Sequence, residues 1–350
     1  MQSRLQTLQL ENSRLKDENR SLHEENRILD ERLESAETAL NKASAEAWRR
    51  LEPSYYAPMA LSDIRYILRH LFLDADFAAE EACKGLTLNH ALRHVDLLDD
   101  LLFPSQEAFR DALSKSIIMQ KRPETAATLI LSAVVHNRMC GMLCDPFFAF
   151  VGRPSDPVLR SRSKESMVHM LDLIRSHDGE GAEGLRWRLL RLLDPRNYHP
   201  DQARAGVKNI AKASRAYAAD IAARDIVNMA KDLVPAKFKK ELLHNLREVF
   251  GELADFTWEL WVRKACIQPV FWSDLVAREG TQSLVYNSKS NNMDRHSSNN
   301  GQFSRDPAGF EGRDVIFLHC CGIEIVGSQE DGNKYDEWRQ KLRPAIVWMG

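Results

Sequence analysis

Histidine and cysteine side chains recur at four-residue spacing in one segment of the chain, a pattern suited to binding a metal ion. His136, Cys140 and Cys144 are each about one helical turn apart, so in a helix they would lie on one face. Imidazole nitrogen and thiolate sulfur are good ligands for Zn²⁺. Three ligands in a row along one face cannot converge on one ion, so a further ligand would have to come from elsewhere, such as the His-Cys-Cys segment 319–321.

The other interpretation of these cysteines is that they are small hydrophobic residues of a protein core. The paired ligand spacings of structural zinc sites are missing. Val315–Leu318 is typical of a β-strand, and adjacent strand residues face opposite sides, so spacing alone does not make a dyad of His319 with Cys320 or Cys321. The sequence contains neither a G-x-S-x-G elbow nor a P-loop. We therefore predict no metal ligands, no cofactor and no catalytic residues.

The segment Gly179–Gly184 fits the G-x-G-x-x-G pattern of dinucleotide-binding folds. In those folds the glycines let the backbone approach a pyrophosphate between a strand and a helix. Here the preceding residues 167–174 have helical rather than strand periodicity, and Glu180 and Glu183 would repel phosphate. The context favours a flexible loop between two helices over a nucleotide site.

The elements that would position these residues are mainly helical. Residues 59–276 show repeated helical spacing of apolar residues, punctuated by prolines, and we predict a multi-helix body there. Residues 281–308 are polar and of low complexity, which predicts a disordered linker. Residues 310–350 form a small β-prone tail. The predicted fold class is mainly α, with a coiled-coil helix at residues 1–52 ahead of this body.

Leucines at seven-residue spacing near the N-terminus indicate a coiled coil. Leucine at the d positions suits a parallel pair of helices, and an asparagine at a can hydrogen-bond its twin only when the two chains run parallel and in register. A like-charge contact between Glu25 and Asp30 would be relieved in a heterodimer, so a homodimer is favoured and a heterodimer stays open. The predicted dimer interface consists of Leu5, Leu8, Asn12, Leu15, Asn19, Leu22, Asn26, Leu29, Leu33 and Leu40.

Within this interface the stretch Leu10–Asn19, Leu-Glu-Asn-Ser-Arg-Leu-Lys-Asp-Glu-Asn, resembles the leucine zipper of basic-zipper transcription factors. The resemblance covers Leu5–Leu33 and implies pairing in parallel. In that family a basic helix precedes the zipper and enters the major groove of DNA. Here only Arg4 precedes Leu5, so the resemblance does not imply direct binding of nucleic acid.

Composition excludes several broad classes of function. The 48 basic and 50 acidic residues give a net charge of −2, so the chain as a whole has no electrostatic attraction for nucleic acid or an anionic membrane. The most apolar stretch, Thr125–Val151, is interrupted by polar residues, and we interpret it as a buried core helix rather than a membrane span. Six scattered cysteines after a polar start predict an intracellular protein, cytoplasmic or nuclear.

These observations favour a non-enzymatic, dimeric interaction or scaffold protein that assembles through its N-terminal zipper and engages a protein partner. One alternative is a zipper-containing transcription regulator that lacks a basic region and acts as a heterodimer partner. The second alternative is an enzyme of unrecognised helical fold, in which polar groups from distant segments converge in a cleft.

The zipper prediction is tested by the oligomeric state. Sedimentation equilibrium of the full chain should show a dimer, and a version that starts at Pro53 should sediment as a monomer, because the truncation removes the whole predicted interface. A full chain that stays monomeric at micromolar concentration would contradict self-pairing and direct the search to heterodimer partners.

Overall fold

Ten α-helices and six short strands make up most of the part of the chain that the computed structural model describes, which comprises residues 59–98, 102–148, 157–192, 194–197, 201–263, 266–279, 284–290, 292–296, 310–326 and 339–349. The protein is mainly helical with small sheets, and that much of the predicted fold class is confirmed. The predicted coiled coil 1–52 and all ten residues of its interface, Leu5 to Leu40, lie outside the described residues.

The helices are α1 (Leu61–Ala82), α2 (Leu88–Leu92), α3 (Gln106–Lys115), α4 (Ile117–Lys121), α5 (Glu124–Leu143), α6 (Pro157–Arg175), α7 (Gly179–Arg191), α8 (Asp201–Met229), α9 (Ala236–Trp261) and α10 (Trp272–Glu279). The strands are β1 (Cys266–Val270), β2 (Met293–Arg295), β3 (Phe317–Cys320), β4 (Gly322–Val326), β5 (Arg339–Arg343) and β6 (Ala345–Trp348). Short 3₁₀-helices cover Val95–Leu97 and Pro195–Asn197.

Helix α5 is the centre of the fold because it is apolar on nearly every side. Pro123 precedes its first turn, where a missing backbone N–H costs nothing, and Glu124 places negative charge at the positive end of the helix dipole. It is long and apolar enough to cross a membrane by length and composition alone, yet 78% of its most apolar 18-residue window is buried inside the protein. Helices α1, α2 and α9 and strand β3 pack around it, as expected of a core helix.

Helices α1 and α9 each bury one stripe and leave the other in solvent. On α1 the buried stripe includes Ile64, Leu68, Phe72 and Ala75, at the three- and four-residue spacing of an amphipathic helix. Helix α9 packs its own apolar stripe against α1 and α8, and it contacts α5 as well. The three-helix arrangement of α1, α5 and α9 thus buries most of the apolar surface of the body.

The six strands form two three-stranded sheets, and two segments of the chain, β3–β4 and β5–β6, each contribute one strand to both sheets. One sheet has the order β1-β4-β5 and is antiparallel throughout. The other has the order β2-β6-β3, with β2 parallel and β3 antiparallel to β6. Only Cys321 separates β3 from β4, and only Pro344 separates β5 from β6. Each of these two segments therefore passes directly from one sheet to the other.

The sheets include residues of the predicted linker, and they join those residues to the predicted tail. Residues 284–290 and 292–296 fall inside the predicted linker 281–308, yet β2 lies there and Leu284, Tyr286 and Met293 are buried. One strand before this segment and one strand within it pair with strands of the predicted tail: β1 pairs with β4, and β2 pairs with β6. Polar composition pointed to a linker because few apolar residues are present, but those few are the ones that the fold buries.

Arginines of α7 hold the C-terminal end of α9 in place. The Arg186 side chain is fully buried, is paired with Glu183, and donates hydrogen bonds to the carbonyl oxygens of Trp261 and Arg263. Arg191 donates to the carbonyl of Val262 over 3.0 Å. The last carbonyls of a helix have no partner within the helix, so these guanidinium groups supply one.

Replacing Arg186 with methionine should therefore lower the free energy of unfolding by about 3–5 kcal/mol, since the carbonyls of Trp261 and Arg263 lose their donor and the buried Glu183 carboxylate is left with Arg175. Urea denaturation of the full chain measures this loss. The matched control Arg188→Met changes an exposed arginine of the same helix and should cost less than about 1 kcal/mol. Equal losses in the two variants would mean that the guanidinium of Arg186 is not what holds the end of α9.

Candidate metal centre

Three segments far apart in the sequence bring polar side chains together beside the core helix. Asp76 lies near the C-terminal end of α1, Ser132 and His136 lie one turn apart on α5, and His319 lies on β3. Helix α1 and strand β3 both pack on α5, which brings them against the face that carries Ser132 and His136. We refer to Asp76, His136 and His319 as the Asp-His-His cluster.

The polar atoms of Asp76, Ser132, His136 and His319 form two close pairs. Nε2 of His136 lies 3.1 Å from Oδ1 of Asp76, and Nε2 of His319 lies 2.6 Å from Oγ of Ser132. The His136 and His319 rings meet edge to face with their centroids 4.8 Å apart. One ligand atom from each member of the Asp-His-His cluster lies within 4.8 Å of the other two. Ligand atoms of a tetrahedral Zn²⁺ site are roughly 3.4 Å apart, so small side-chain rotations would bring the cluster to that spacing.

A third imidazole borders the cluster. His296 follows β2, and its backbone N–H donates to the carbonyl of Val347 over 2.8 Å, which fixes it beside β6. Its ring meets the His319 ring edge to face, with centroids 4.4 Å apart. This ring contact helps to fix the orientation of His319, while His296 itself lies outside the Asp-His-His cluster.

Burial and neighbouring charges set the protonation of these groups. Burial lowers the pKa of His136, but the Asp76 carboxylate and the Cys320 thiol outweigh it and raise that pKa to about 9. Burial, together with the charges of the other histidines, lowers the pKa of His319 well below its ordinary value. Burial likewise lowers the pKa of His296 to about 4. At neutral pH, His296 and His319 are therefore uncharged imidazoles, each with one nitrogen lone pair. His136 is protonated at that pH, so it would have to release a proton to bind a metal ion.

One buried atom of the cluster has no partner of its own. Nδ1 of His136 is shielded from solvent and has no hydrogen-bond partner among the residues that the structure describes. An unpaired buried ring nitrogen costs about 1–3 kcal/mol. Among the described residues, Oγ1 of Thr257 and Oε1 of Gln340 are also buried without a partner, so this atom does not by itself single out the cluster.

A cleft of about 540 Å³ opens onto the cluster from one side. Asp76, Ser132 and His296 reach its surface, whereas His136 and His319 lie behind them and are almost completely buried. Apolar side chains, two further carboxylates, one guanidinium and two hydroxyls complete the lining: Leu73, Phe77, Ile118, Leu129, Glu80, Glu124, Arg122, Thr125 and Thr128. The cluster thus has a buried side that supplies imidazoles and an open side that a water molecule or substrate can reach.

Thiols occupy the other side of His136. Burial alone would raise the pKa of Cys320, but hydrogen bonds with Cys140 and Cys321 and the charge of Arg343 lower it well below the usual range of a thiol. Nη1 of Arg343 lies 3.3 Å from Sγ of Cys320. All six cysteines are free thiols.

The helical row His136, Cys140 and Cys144 does not act as one ligand set. His136 faces Asp76 and His319, Cys140 faces the thiols of 320–321, and the thiol of Cys144 lies near that of Cys266, so successive turns of α5 meet different neighbours. This agrees with the expectation that three such residues cannot converge on one ion. The segment 319–321 does supply a neighbour of His136, through His319.

The expected alternation of faces along 319–321 is wrong at this point. The pairing of β3 with β6 shifts register between Leu318 and Cys320, which marks a β-bulge. As a result, His319 contacts Ser132 of α5, and Cys320 interacts with Cys140 of the same helix. Strand periodicity predicts alternation only where the ladder is regular.

Two members of the site carry no signal in the sequence. Asp76 is one of several acidic residues on the exposed part of α1, and His296 lies in the predicted linker. Neither has local spacing that relates it to another ligand.

The Gly179–Gly184 segment forms the first turns of α7 rather than a loop, with the Asp178 carboxylate accepting from the Gly181 N–H over 2.8 Å. A side chain at Gly181 would collide with Asp178, which explains a glycine there without a nucleotide.

The comparisons with known proteins give no identity to this arrangement: no protein-family model, no curated protein and no solved structure matches the chain.

Proposed function

We propose that the described part of this protein is a divalent-metal-dependent hydrolase whose metal ion is held by the Asp-His-His cluster. The observation that carries the proposal is the convergence of one carboxylate and two imidazoles, from α1, α5 and β3, at the inner wall of an open cleft. Ser132 and His296 flank this group: Ser132 is hydrogen-bonded to His319, and the His296 ring contacts the His319 ring.

The donor set favours a first-row divalent ion such as Zn²⁺. Imidazole nitrogen and carboxylate oxygen suit Zn²⁺ and Fe²⁺, whereas Ca²⁺ and Mg²⁺ prefer sites made of oxygen atoms. Two histidines and one aspartate leave at least one coordination position free, which is typical of catalytic rather than structural zinc sites. Asp76 is the member of the cluster that lines the cleft, so an ion held by the three residues would be accessible from that side.

The chemistry that such an ion supplies is the activation of water. A Zn²⁺-bound water loses its proton near pH 7 and becomes a nucleophile for an ester, amide or phosphoester bond. Glu80 lies one turn after Asp76 on α1 and lines the same cleft, so we assign it the role of the base that accepts the proton. A volume of about 540 Å³ fits a small molecule or a short piece of a polymer.

Metal binding is tested by titrating EDTA-dialysed full chain with Zn²⁺ in a calorimeter, and with Co²⁺ by visible absorption. We expect one ion per chain, and Asp76→Asn should weaken the affinity at least about tenfold because it removes the charged ligand. Zn²⁺ at about 100 times Kd should stabilise the wild type by about 2.7 kcal/mol, with a smaller effect on Asp76→Asn.

The matched control is Asp74→Asn, which makes the same change in charge two residues earlier on α1, outside the cluster. It should bind Zn²⁺ like the wild type. A folded wild type that takes up no Zn²⁺, or equal losses in the two variants, would overturn the metal centre.

The role of Glu80 is tested in Zn²⁺-loaded protein with a panel of chromogenic esters and phosphoesters. Glu80→Gln should keep its bound metal but lose about 10²-fold in kcat, the contribution expected of a general base. Glu81→Gln, a neighbouring carboxylate that lines a different cleft, is the control and should retain activity. Metal-independent turnover, or activity unchanged by Glu80→Gln, would contradict this assignment.

A second candidate function is favoured by a different observation, the leucine heptads of residues 5–40. On this proposal the chain is an interaction or scaffold protein that pairs in parallel through its zipper, as a homodimer or with another zipper chain, inside the cell. A transcription regulator without a basic region is the narrower version of this function. Dimerisation is compatible with a metal centre in the body, so the two candidates are tested separately.

A further inference from the structure

The outward face of α1 carries a stripe of large side chains that the fold leaves in solvent. Tyr66, His70, Leu73 and Phe77 are spaced by four, three and four residues, which places them on one side of the helix. Tyr66 is 65% exposed and Phe77 is 62% exposed, while the opposite face of α1 is buried in the core. We call these four residues the α1 stripe; it runs for about 17 Å along the helix axis.

The stripe is continuous rather than scattered. The Tyr66 and His70 rings meet edge to face with their centroids 4.3 Å apart, and Leu73 and Phe77 together line the 540 Å³ cleft. Isolated apolar residues are common on protein surfaces, but a contiguous row of aromatic and aliphatic side chains marks a site of association. The row has the spacing that one helix uses to receive another.

Carboxylates border the Phe77 end of the stripe on both sides, although one of them, Glu81, is paired with Lys84 and the exposed Arg65 and Arg69 lie beside the Tyr66 end. A second cleft of about 250 Å³ lies on the far side of Phe77, between α1 and α9. Its lining includes Asp74, Glu81, Glu248 and Glu252, and none of its lining residues is Lys or Arg. The first cleft adds Glu80 and Glu124, opposed by a single arginine. The net charge of the chain is only −2, so this local group of carboxylates does not reflect the charge of the chain as a whole.

From this combination we infer that the α1 stripe and its two carboxylate borders bind a basic amphipathic helix of a partner protein. Apolar residues of the partner would pack on Leu73 and Phe77, and its Lys or Arg side chains would meet the borders on either side. Complementary charge fixes the orientation of such a helix and speeds its association. An anionic membrane surface would be repelled by the same carboxylates.

This inference deepens the second candidate function by naming the kind of partner, and it rests on that function. It does not use the Asp-His-His cluster, so it is tested in EDTA, where a failure of the metal centre has no effect. It also does not require the zipper to self-pair, because the full chain offers the stripe whether it is a monomer or a dimer.

The probe is a fluorescent helical peptide of about 18 residues, built from leucine on one face and lysine on the other, and binding to the full chain is followed by anisotropy. A scrambled peptide of the same composition and a leucine–glutamate peptide serve as ligand controls. We expect micromolar binding of the ordered lysine peptide, and binding at least about tenfold weaker for both controls.

Variants locate the binding on the surface. Phe77→Ala should weaken binding by about tenfold or more, since a central aromatic anchor contributes most at such interfaces. Glu248→Gln combined with Glu252→Gln should weaken it and reduce its dependence on salt between about 0.1 M and 1 M. Ile210→Ala removes a side chain that is 53% exposed on α8, and it should leave binding unchanged.

Equal binding of the ordered and scrambled lysine peptides would reduce the effect to non-specific charge attraction and overturn the inference. So would equal affinity of Phe77→Ala and Ile210→Ala. Both tested residues are exposed, so loss of folding does not confound them, and circular dichroism of each variant verifies this. A monomeric full chain that binds the ordered peptide would contradict self-pairing through the zipper while leaving the α1 stripe in place.

Discussion

Helix α5 carries Ser132 and His136 into an apolar core, and the need to pair these two side chains constrains the whole body. A buried polar group without a partner costs about 1–3 kcal/mol, a large share of the stability of a typical domain. Ser132 finds its partner in His319 of β3, and His136 finds its partner in Asp76 of α1. The central helix is thereby tied by polar contacts to the first described helix and to a strand nearly two hundred residues further along the chain.

The sequence predicts the part of this arrangement that depends on composition and periodicity. Apolar spacing indicates the helices of the body, and Thr125–Val151 is interpreted as a buried core helix because polar residues interrupt this apolar stretch. The position of His136 on the same face as Ser132 follows from helical periodicity once α5 is known. What periodicity cannot supply is which surface of another element meets that face, because this is decided by packing over the whole core.

Asp76 and His296 show this limit most clearly. Asp76 is half-exposed on a helix rich in acids, so its pairing with a buried imidazole depends on how α1 is rotated against α5. His296 lies in polar sequence whose sparse apolar residues, Leu284, Tyr286 and Met293, are nonetheless enough to hold it in a sheet. The bulge before Cys320 adds a third obstacle, because one extra residue in a ladder changes which side chains face the core.

Chemically different donors lie on the two sides of His136. Towards the cleft are a carboxylate and imidazoles, which suit harder metal ions, and towards the core are the thiols of Cys140, Cys320 and Cys321, which suit softer ones. Arg343 lies on the thiol side, with its guanidinium 3.3 Å from the sulfur of Cys320 and 3.7 Å from the centre of the Phe72 ring. A cation already lies beside the sulfur, which disfavours a second positive ion on the thiol side of His136.

The passage of β3–β4 and β5–β6 from one sheet to the other bears on how this protein could be recombined in evolution. Each sheet combines a strand from before residue 300 with strands from after residue 316, so neither sheet is encoded by one uninterrupted stretch. Recombination with a crossover between residues 296 and 310 would bring together strands from two different parent sequences. It would also separate His296 from His319. Segments 266–279, 284–296, 310–326 and 339–349 are therefore expected to be inherited together, as a single block of descent with the helices that carry Asp76 and His136.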